Sequence, residues 1–572
     1  MRRVLLLVLA VALGGCGKKA ATSNQPSRLV LVNFSDPKTF NPITAAETSS
    51  RDIVYMLFSG LTTKDQVTQE VKPALAESWS VDADQKTWTF KLRKDLRWSD
   101  GKPFTADDVI FTFNDVVYNP DIPNTTSDMV RVDKKNFVVT KVDDLTIKAV
   151  TPEVYAPFLE YFGDVRILPK HVLANTVPNK SFSSAYGVNT SPADLVGSGP
   201  FKLKQYKPGQ FTLVERNPHY WHVDSNGKRL PYFDNVVMSI VPDQNAMGLR
   251  FMKGEADLLE FVRPEEADTF KQAGDRGQFR FIDLGFASQI DLIIFNQNTN
   301  TNPKTGKPYV NPAKLKWFRN TKFRQAISYA IDRPSIAKST INGHGQPQYG
   351  YITPANQKWI NTNIAQYPYS PDKARALLSE IGIRDRNNDG LLEDADGNVI
   401  EFEMNTNAGN SRREKGSVIV QDDLKRLGIR VNYRPQDFNT IAHRLDTDFD
   451  FECIFLGMAS ESPDPAESLN VIRSEGFLHQ WFPRQKSPST DWEARMDAAM
   501  NAQLKTLDFA ERKKYFDEVQ AIFAEEQPMI PTVAMKAFAA ARNDLENLRP
   551  TASHNNRLIW NLPELYFKKQ QP

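Results

Sequence analysis

Cysteine is nearly absent from this chain, with 2 in 572 residues, so no disulfide framework holds it together. Neither sign of charge is in excess: Lys and Arg number 71, Asp and Glu 69. Loss of Arg2 and Arg3 with a leader would leave 69 against 69, a balance that argues against a nucleic-acid surface. Catalytic signatures are missing too. The chain has no G-x-S-x-G elbow, no H-E-x-x-H and no C-x-x-C. It also lacks G-x-x-x-x-G-K-[ST], which excludes ATP hydrolysis by that route. No internal repeat is visible, and no apolar run beyond the N-terminus is long enough to span a bilayer.

What is present begins at that terminus. Arg2 and Arg3 precede the apolar run from Val4 to Leu13, which suits a signal peptide over 1–15. The run ends in Leu13-Gly14-Gly15-Cys16, which resembles the bacterial lipobox, with Cys16 as the acylated residue. Residues 16–27 are rich in Lys, Ala, Thr, Ser, Asn and Gln and read as a lipidated tether. The other cysteine, Cys453, lies in the alternating stretch Phe449-Asp-Phe451-Glu-Cys453-Ile-Phe455-Leu456 and reads as an inert buried thiol.

The length exceeds what one core supports, so at least two lobes are expected. Short strands and helices alternate, the pattern of an α/β protein. Leu29 to Phe34 reads as a first strand. The block Pro73–Asn114 predicts three elements in succession. Trp88-Thr-Phe90-Lys-Leu92 has the period of a half-buried strand, and Trp98-Ser-Asp100-Gly101-Lys-Pro103 is turn chemistry. Thr105-Ala-Asp107-Asp108 then reads as a capped helix start, its acids facing the helix dipole. Ser370-Pro371 and Asp508-Phe-Ala-Glu511 are two further helix starts, the second opening a helix that Pro528 stops.

Two stretches have the spacing of metal ligands. His219-Tyr-Trp-His222 is an H-x-x-H pair, but Pro218 disfavours a helix there and no carboxylate cluster adjoins it. Asp385-Arg-Asn387-Asn-Asp389-Gly390 matches the first half of a calcium loop, with Glu393 and Asp396 following. A structural calcium is one reading of that loop, and an Asp/Asn/Gly-rich turn leading into the strand Val399–Met404 is the other. No other cofactor is expected.

The Pro73–Asn114 wording closely resembles the signature of the family 5 extracellular solute-binding proteins. Leu195-Val-Gly197-Ser-Gly199-Pro200 with Glu215-Arg216-Asn217-Pro-His-Tyr220-Trp221, Phe251-Met-Lys-Gly254-Glu-Ala-Asp257, and Lys322–Arg333 are similar to further family phrases, in the family's order. The resemblance implies a two-lobed fold like the periplasmic binding proteins, with an extra domain, mixed sheets and a hinged cleft. Domain I would comprise 28–50, 194–288 and 543–572, domain II 51–193 and domain III 289–542. Domain III would swing about strand crossings near Gly285 and Arg542. The implied role is a peptide carrier, an expected monomer that serves an ABC permease with a separate ATPase. Its only membrane contact would be the lipid. Relatives of this fold also carry nickel complexes, haem, sugars and opines. A tethered surface interaction protein or an enzyme would be a different class altogether.

The resemblance also points to site residues. In peptide-binding relatives an Asp pairs with the ligand's α-ammonium group, and Glu461 stands at the matching place, ahead of Asp464-Pro465. A carboxylate suits an amine entering a water-poor cleft, although a solvated loop acid is the alternative. Backbone from Gly457 through Met458 to Ala459, and the loop with Pro37 and Lys38, correspond to places where relatives hold an extended peptide. The aromatic cluster Phe477 to Phe482, with His479 and Trp481, would either line side-chain pockets or pack internally.

Overall fold

The computed structural model describes residues 27–570 except 46, 123, 125, 133, 242, 461, 477 and 553–556. One 11-stranded sheet organises the chain. In chain order its strands are β1 (Arg28–Asn33), β2 (Phe201–Lys207), β3 (Phe211–Arg216), β4 (Asn235–Ile240), β5 (Leu258–Val262) and β6 (Arg280–Phe295), then β7 (Gly345–Pro347), β8 (Glu401–Asn407), β9 (Arg430–Gln436), β10 (Cys453–Met458) and β11 (Met529–Ala541). Their spatial order is β2-β3-β4-β1-β5-β11-β6-β10-β8-β9, with β7 against β11. This interleaving requires the chain to leave and re-enter each lobe.

Two strands join the lobes. β6 and β11 pair antiparallel from Arg280↔Ala541 to Ile294↔Met529. One half-sheet is attached through β5 at the far end of β11, the other through β10 at the far end of β6. Between them the β6–β11 register slips at Asp283/Phe286 and again at Phe286/Ile290. Gly285 lies in this span at φ 80°, a conformation that favours glycine. The limit expected at 288/289 thus falls inside β6, so the lobes are connected by continuous strand. Arg542 directly follows β11 and is anchored to Asp257 at 2.8 Å.

Residues 76–150 form a separate four-stranded antiparallel sheet, ordered Ala76–Val81, Thr87–Leu92, Thr146–Val150, Val138–Asp143. The expected strand–turn–helix block folds as its local chemistry dictates. Thr105 forms a capping box with Asp108, and Gly101 turns the chain at φ 84°. Asp108 does more than face a dipole. It is buried, and its carboxylate accepts the Trp98 indole at 3.3 Å and the Thr105 and Lys170 amides at 3.0 and 2.9 Å. Burial raises its pKa, and those bonds oppose the shift. Phe90, Phe113, Phe158 and Phe162 stack beneath, with Phe113 and Phe162 centroids 4.2 Å apart.

The remaining lobe packs Phe295, Phe318, Phe323, Phe402 and Val420 in its own core. Ser370 and Asp508 cap the helices Pro371–Glu380 and Phe509–Glu526. Cys453 is fully buried in β10, and burial pushes its thiol well above the usual range. Among the described residues no helix is long and apolar enough to cross a membrane.

Candidate functional site

The sheet register locates the cleft. β5 runs parallel to β1 and ends at Val262, opposite Phe538 of β11. β10 runs the opposite way and ends at Met458, opposite Ile290, which itself pairs with Ala534. The carboxyl ends of strands from both half-sheets therefore open toward the same short span of β11, between Ala534 and Phe538. Crevices outside the carboxyl ends of strands are where open α/β sheets bind ligands.

A cavity lies at the carboxyl end of β10. Ser288 and Ile290 of β6, Tyr351 to Thr353, Ala355 and Asn356, and Met458, Ala459, Ser460 and Ser462 line it. Ser288 donates to the Ser460 carbonyl at 2.8 Å, and Asn356 Nδ2 donates to the Pro463 carbonyl at 2.8 Å. The Oδ1 of Asn356 is buried and has no hydrogen-bond partner. β10 also presents an open edge. β8 pairs with it only at Cys453 and Ile454, so among the described residues Gly457 and Met458 have a strand partner on the β6 side alone. That edge and an unpaired carbonyl are what an extended main chain would need.

Beneath the edge lies a buried charge cluster. Asp291 accepts Arg412 Nε at 2.8 Å and Arg413 Nε at 3.0 Å, and Arg413 Nη1 donates to Asn407 Oδ1 at 2.8 Å. Burial alone would raise the Asp291 pKa, but the two guanidinium groups reverse this and hold it at about 2. Gly457 crosses directly over the cluster. A Cβ there would meet Arg413 Nη2 at 2.0 Å and Asp291 Oδ1 at 2.7 Å, so only glycine fits.

On the other half-sheet β1 and β5 run side by side, and their register sets Asn33 level with Glu260. Glu260 accepts the Leu558 amide at 2.9 Å, and burial pushes its pKa up to about 8, with Asp52 adding to the shift. Of the loop after β1, Pro37 is buried and Lys38 exposed. The Lys38 amide is held by Ser50 Oγ at 2.9 Å, while Asp36 accepts the Tyr206 hydroxyl at 2.8 Å. At the rim the lobes touch. Glu160 bonds Lys64 Nζ at 2.5 Å and the Ser462 hydroxyl, and Lys505 pairs with Glu153 at 2.6 Å.

Met458 and Ala459 thus line the cavity, and Gly457 precedes them on β10, over the Asp291 cluster. Glu461, Phe477 and Cys16 lie outside the described residues. His479 and Trp481 are corrections to the pocket-lining expectation. Both are fully buried, ring against ring at 3.8 Å, and the Trp481 indole donates to Glu493 at 3.2 Å. Their partner stands 12 residues beyond Trp481, so they pack the loop internally. Asp291, Asn356 and Glu260 are not legible as site residues in the sequence, since nothing in their local surroundings marks them.

The expected metal loop is partly reassembled. Asp385, Asp389 and Glu393 bring their carboxylates within 4.8 Å of one another. Asp396 departs from the expected set, because its carboxylate reaches Lys316 at 2.9 Å instead. Asn387 stays in the loop, its Oδ1 accepting the Asp389 amide. His222 stacks on Trp221 at 4.8 Å, and His219 and His222 join no cluster of three such ligands among the described residues.

Known proteins resemble this chain over nearly its whole length. A model of the bacterial extracellular solute-binding proteins, family 5, matches residues 70–477. The chain is 30% identical to a probable ABC transporter-binding protein of Deinococcus radiodurans, covering 94% of each. It is 27% identical to the oligopeptide-binding protein AppA of Bacillus subtilis, covering 99% of this chain and 98% of that one. The solved structure of AppA with a nonapeptide superposes at a TM-score of 0.76, with 26% identity, over 95% of this chain and 100% of that one. The fold is also similar to MelB of Agrobacterium fabrum in complex with stachyose, at a TM-score of 0.78 and 21% identity over 96% and 85% of the two chains.

Proposed function

The chain belongs to the bacterial extracellular solute-binding proteins of family 5, and on that premise we propose that it captures a peptide and delivers it to an ABC permease. The observation that carries the peptide is the open β10 edge at Gly457 and Met458, beside the unpaired Asn356 Oδ1. A peptide added along that edge would be held by main-chain bonds largely independent of its side chains. Glu461 would then receive the ligand's amine, since a buried cation must be paired. Closure follows from differential affinity: a ligand that touches both lobes favours the closed form, and only such a ligand shifts the equilibrium. A separate ATPase drives release into the permease, and the carrier works as a monomer.

Native mass spectrometry of protein purified without its leader tests this. A ladder of short peptides is expected, and Glu461→Gln should reduce retention roughly tenfold or more, the scale of one charge-assisted contact. A single non-peptide mass would replace the peptide reading with a sugar, opine or metal-complex carrier of the same fold. Retention unchanged in Glu461→Gln would remove the amine contact.

In the same reading the leader is cleaved and Cys16 acylated, so that lipid alone tethers the protein outside the cytoplasm. Metabolic labelling with a palmitate analogue should mark the wild-type chain and leave Cys16→Ser unlabelled. Label on Cys16→Ser, or on neither protein, would remove the anchor.

A further inference from the structure

Between the helix Pro371–Glu380 and β8 the chain forms a compact loop far in sequence from the cleft residues. It carries three acids at its first, fifth and ninth places: Asp385, Asp389 and Glu393. One carboxylate oxygen from each lies within 4.8 Å of those from the other two. Oxygen ligands about 2.4 Å from a calcium ion can be at most about 4.8 Å apart, so these three fit around one ion. Three like charges this close repel one another strongly unless a cation sits among them.

Proximity of acids alone would not make a site. The independent observation is that, among the described residues, Glu393 and Asp385 each keep a carboxylate oxygen without a hydrogen-bond partner, whereas both oxygens of the exposed Asp389 accept, from the Leu391 amide and from Asn387 Nδ2. Glu393 is only 5% exposed, yet its carboxylate takes a single hydrogen bond, from the Arg386 amide to Oε2 at 2.9 Å. No Lys, Arg or His among the described residues forms an ion pair with Glu393, Asp385 or Asp389. A buried, unpaired carboxylate is costly, and proteins resolve that cost by pairing or by metal coordination. Asp385 repeats the theme: Oδ2 accepts the Gly390 amide at 3.0 Å, whereas Oδ1 is inaccessible to solvent and has no partner. The other acids nearby are already used. Asp396 pairs with Lys316, and Asp394 accepts the Trp317 indole at 3.0 Å and the Asn398 amide at 2.9 Å. The loop has thus sorted its acids into two that are paired outward and three that converge without a counter-charge.

We propose that Asp385, Asp389 and Glu393 bind one divalent cation of the hard, oxygen-seeking class, with calcium the best fit. An all-carboxylate donor set disfavours zinc and copper, which prefer nitrogen or sulfur. Magnesium demands near-ideal octahedral geometry and keeps its water, which suits a buried Glu393 poorly. Asn387 and the Leu391 carbonyl stand at the third and seventh places, where calcium loops supply further oxygens.

The site would stiffen one lobe without touching the ligand. Leu392 donates to the Gly428 carbonyl at 2.8 Å, at the end of the helix Ser411–Leu427, and Ile400 donates back to Leu392 at 2.8 Å as β8 begins. Glu393 bridges to both Arg384 and Val399. An ion there clamps the loop to the β8–β9 edge of the sheet.

The test is calorimetric titration of EDTA-treated, full-length mature protein with calcium chloride alone, alongside thermal melts. One calcium per chain is expected, with Tm raised by several degrees in excess calcium. Glu393→Gln and Asp385→Asn should each weaken binding at least tenfold and cancel most of the Tm shift. Should Glu393→Gln fail to fold, Asp389→Asn, at an exposed position, carries the same expectation. Sensitised terbium emission through Trp317, whose indole bonds the same loop, gives a second readout. No heat and no Tm shift at millimolar calcium would overturn the proposal, and so would equal affinity in wild type and all three variants.

Discussion

Asp291→Asn is expected to lower the unfolding free energy by about 3–5 kcal/mol, the usual cost of breaking a buried ion pair by removing one partner. It is also expected to abolish ligand retention. The substitution preserves shape and removes only the charge. What remains is two arginines whose side chains are 10% and 8% exposed, facing an amide that cannot neutralise them. Arg413 would keep its bond to Asn407, but its Nε–H bond to the carboxylate would weaken. Because Gly457 passes within van der Waals reach of Arg413, any movement of that guanidinium displaces the edge of β10. Stability and binding should therefore fall together, which an exposed ion pair would not do.

The pH dependence carries a definite sign. The Asp291 carboxyl is held at about 2, below its ordinary value of 3.8, because Arg412 and Arg413 outweigh the opposing effect of burial. A depressed carboxyl contributes its stability fully above the unfolded value and loses it as pH falls through the folded one. For the wild type this contribution is present above about pH 4 and disappears toward about pH 2. Asp291→Asn lacks it throughout, so the gap between the two proteins should narrow as pH drops from 5 to 3. Guanidinium unfolding at three pH values reads this directly. A gap that stayed constant would mean that the loss at Asp291 is steric.

Local chemistry makes much of the fold legible from the order of residues alone. The β1 strand, the turn at Gly101, and the caps at Thr105, Ser370 and Asp508 each depend on residues within a few positions, and each forms as its sequence dictates. The end of β10 is legible too, because an alternating apolar run gives way there to Gly, Ser and Pro. Long-range partners are not. Asp291 meets Arg412 across 121 residues, and no local pattern marks it as the support for the cleft edge. His479 and Trp481 fail for the converse reason: aromatics in a loop read equally well as lining or as packing, and Glu493 decides it. In the acidic loop, spacing singles out Asp385 and Asp389 but not the division of labour between Glu393 and Asp396, which depends on where Lys316 lies.

Arg333 illustrates the same limit within the family wording itself, and its replacement by methionine should cost about 3 kcal/mol or more. The residue is 1% exposed and has no carboxylate partner among the described residues. Its charge is met by neutral oxygens and by the face of the Tyr349 ring, 5.0 Å away. Nε donates to the Gln348 and Pro531 carbonyls at 3.1 and 2.9 Å, Nη1 to the Ser328 carbonyl at 2.6 Å, and Nη2 to the Ser328 hydroxyl at 2.8 Å. Burial pulls its pKa down to about 10, with Tyr349 opposing, so it remains a cation at neutral pH. Methionine would fill the stem's volume and relieve the buried charge, but it would leave those carbonyls without donors. Unmade bonds to buried carbonyls cost about 1–3 kcal/mol each, and several are lost at once, so the penalty should exceed the relief. Lysine keeps the charge yet lacks the planar fork, and it should recover only part of the loss. The consequence reaches the hinge because Pro531 lies on β11, one of the two strands that join the lobes. Arg333→Met and Asp291→Asn are separable by acid. Among the described residues no carboxylate or imidazole bonds the Arg333 guanidinium, so its stability deficit should hold constant over the range in which the Asp291→Asn deficit shrinks. Unfolding curves in which Arg333→Met is as stable as wild type would instead mean that desolvating the cation costs as much as its hydrogen bonds return.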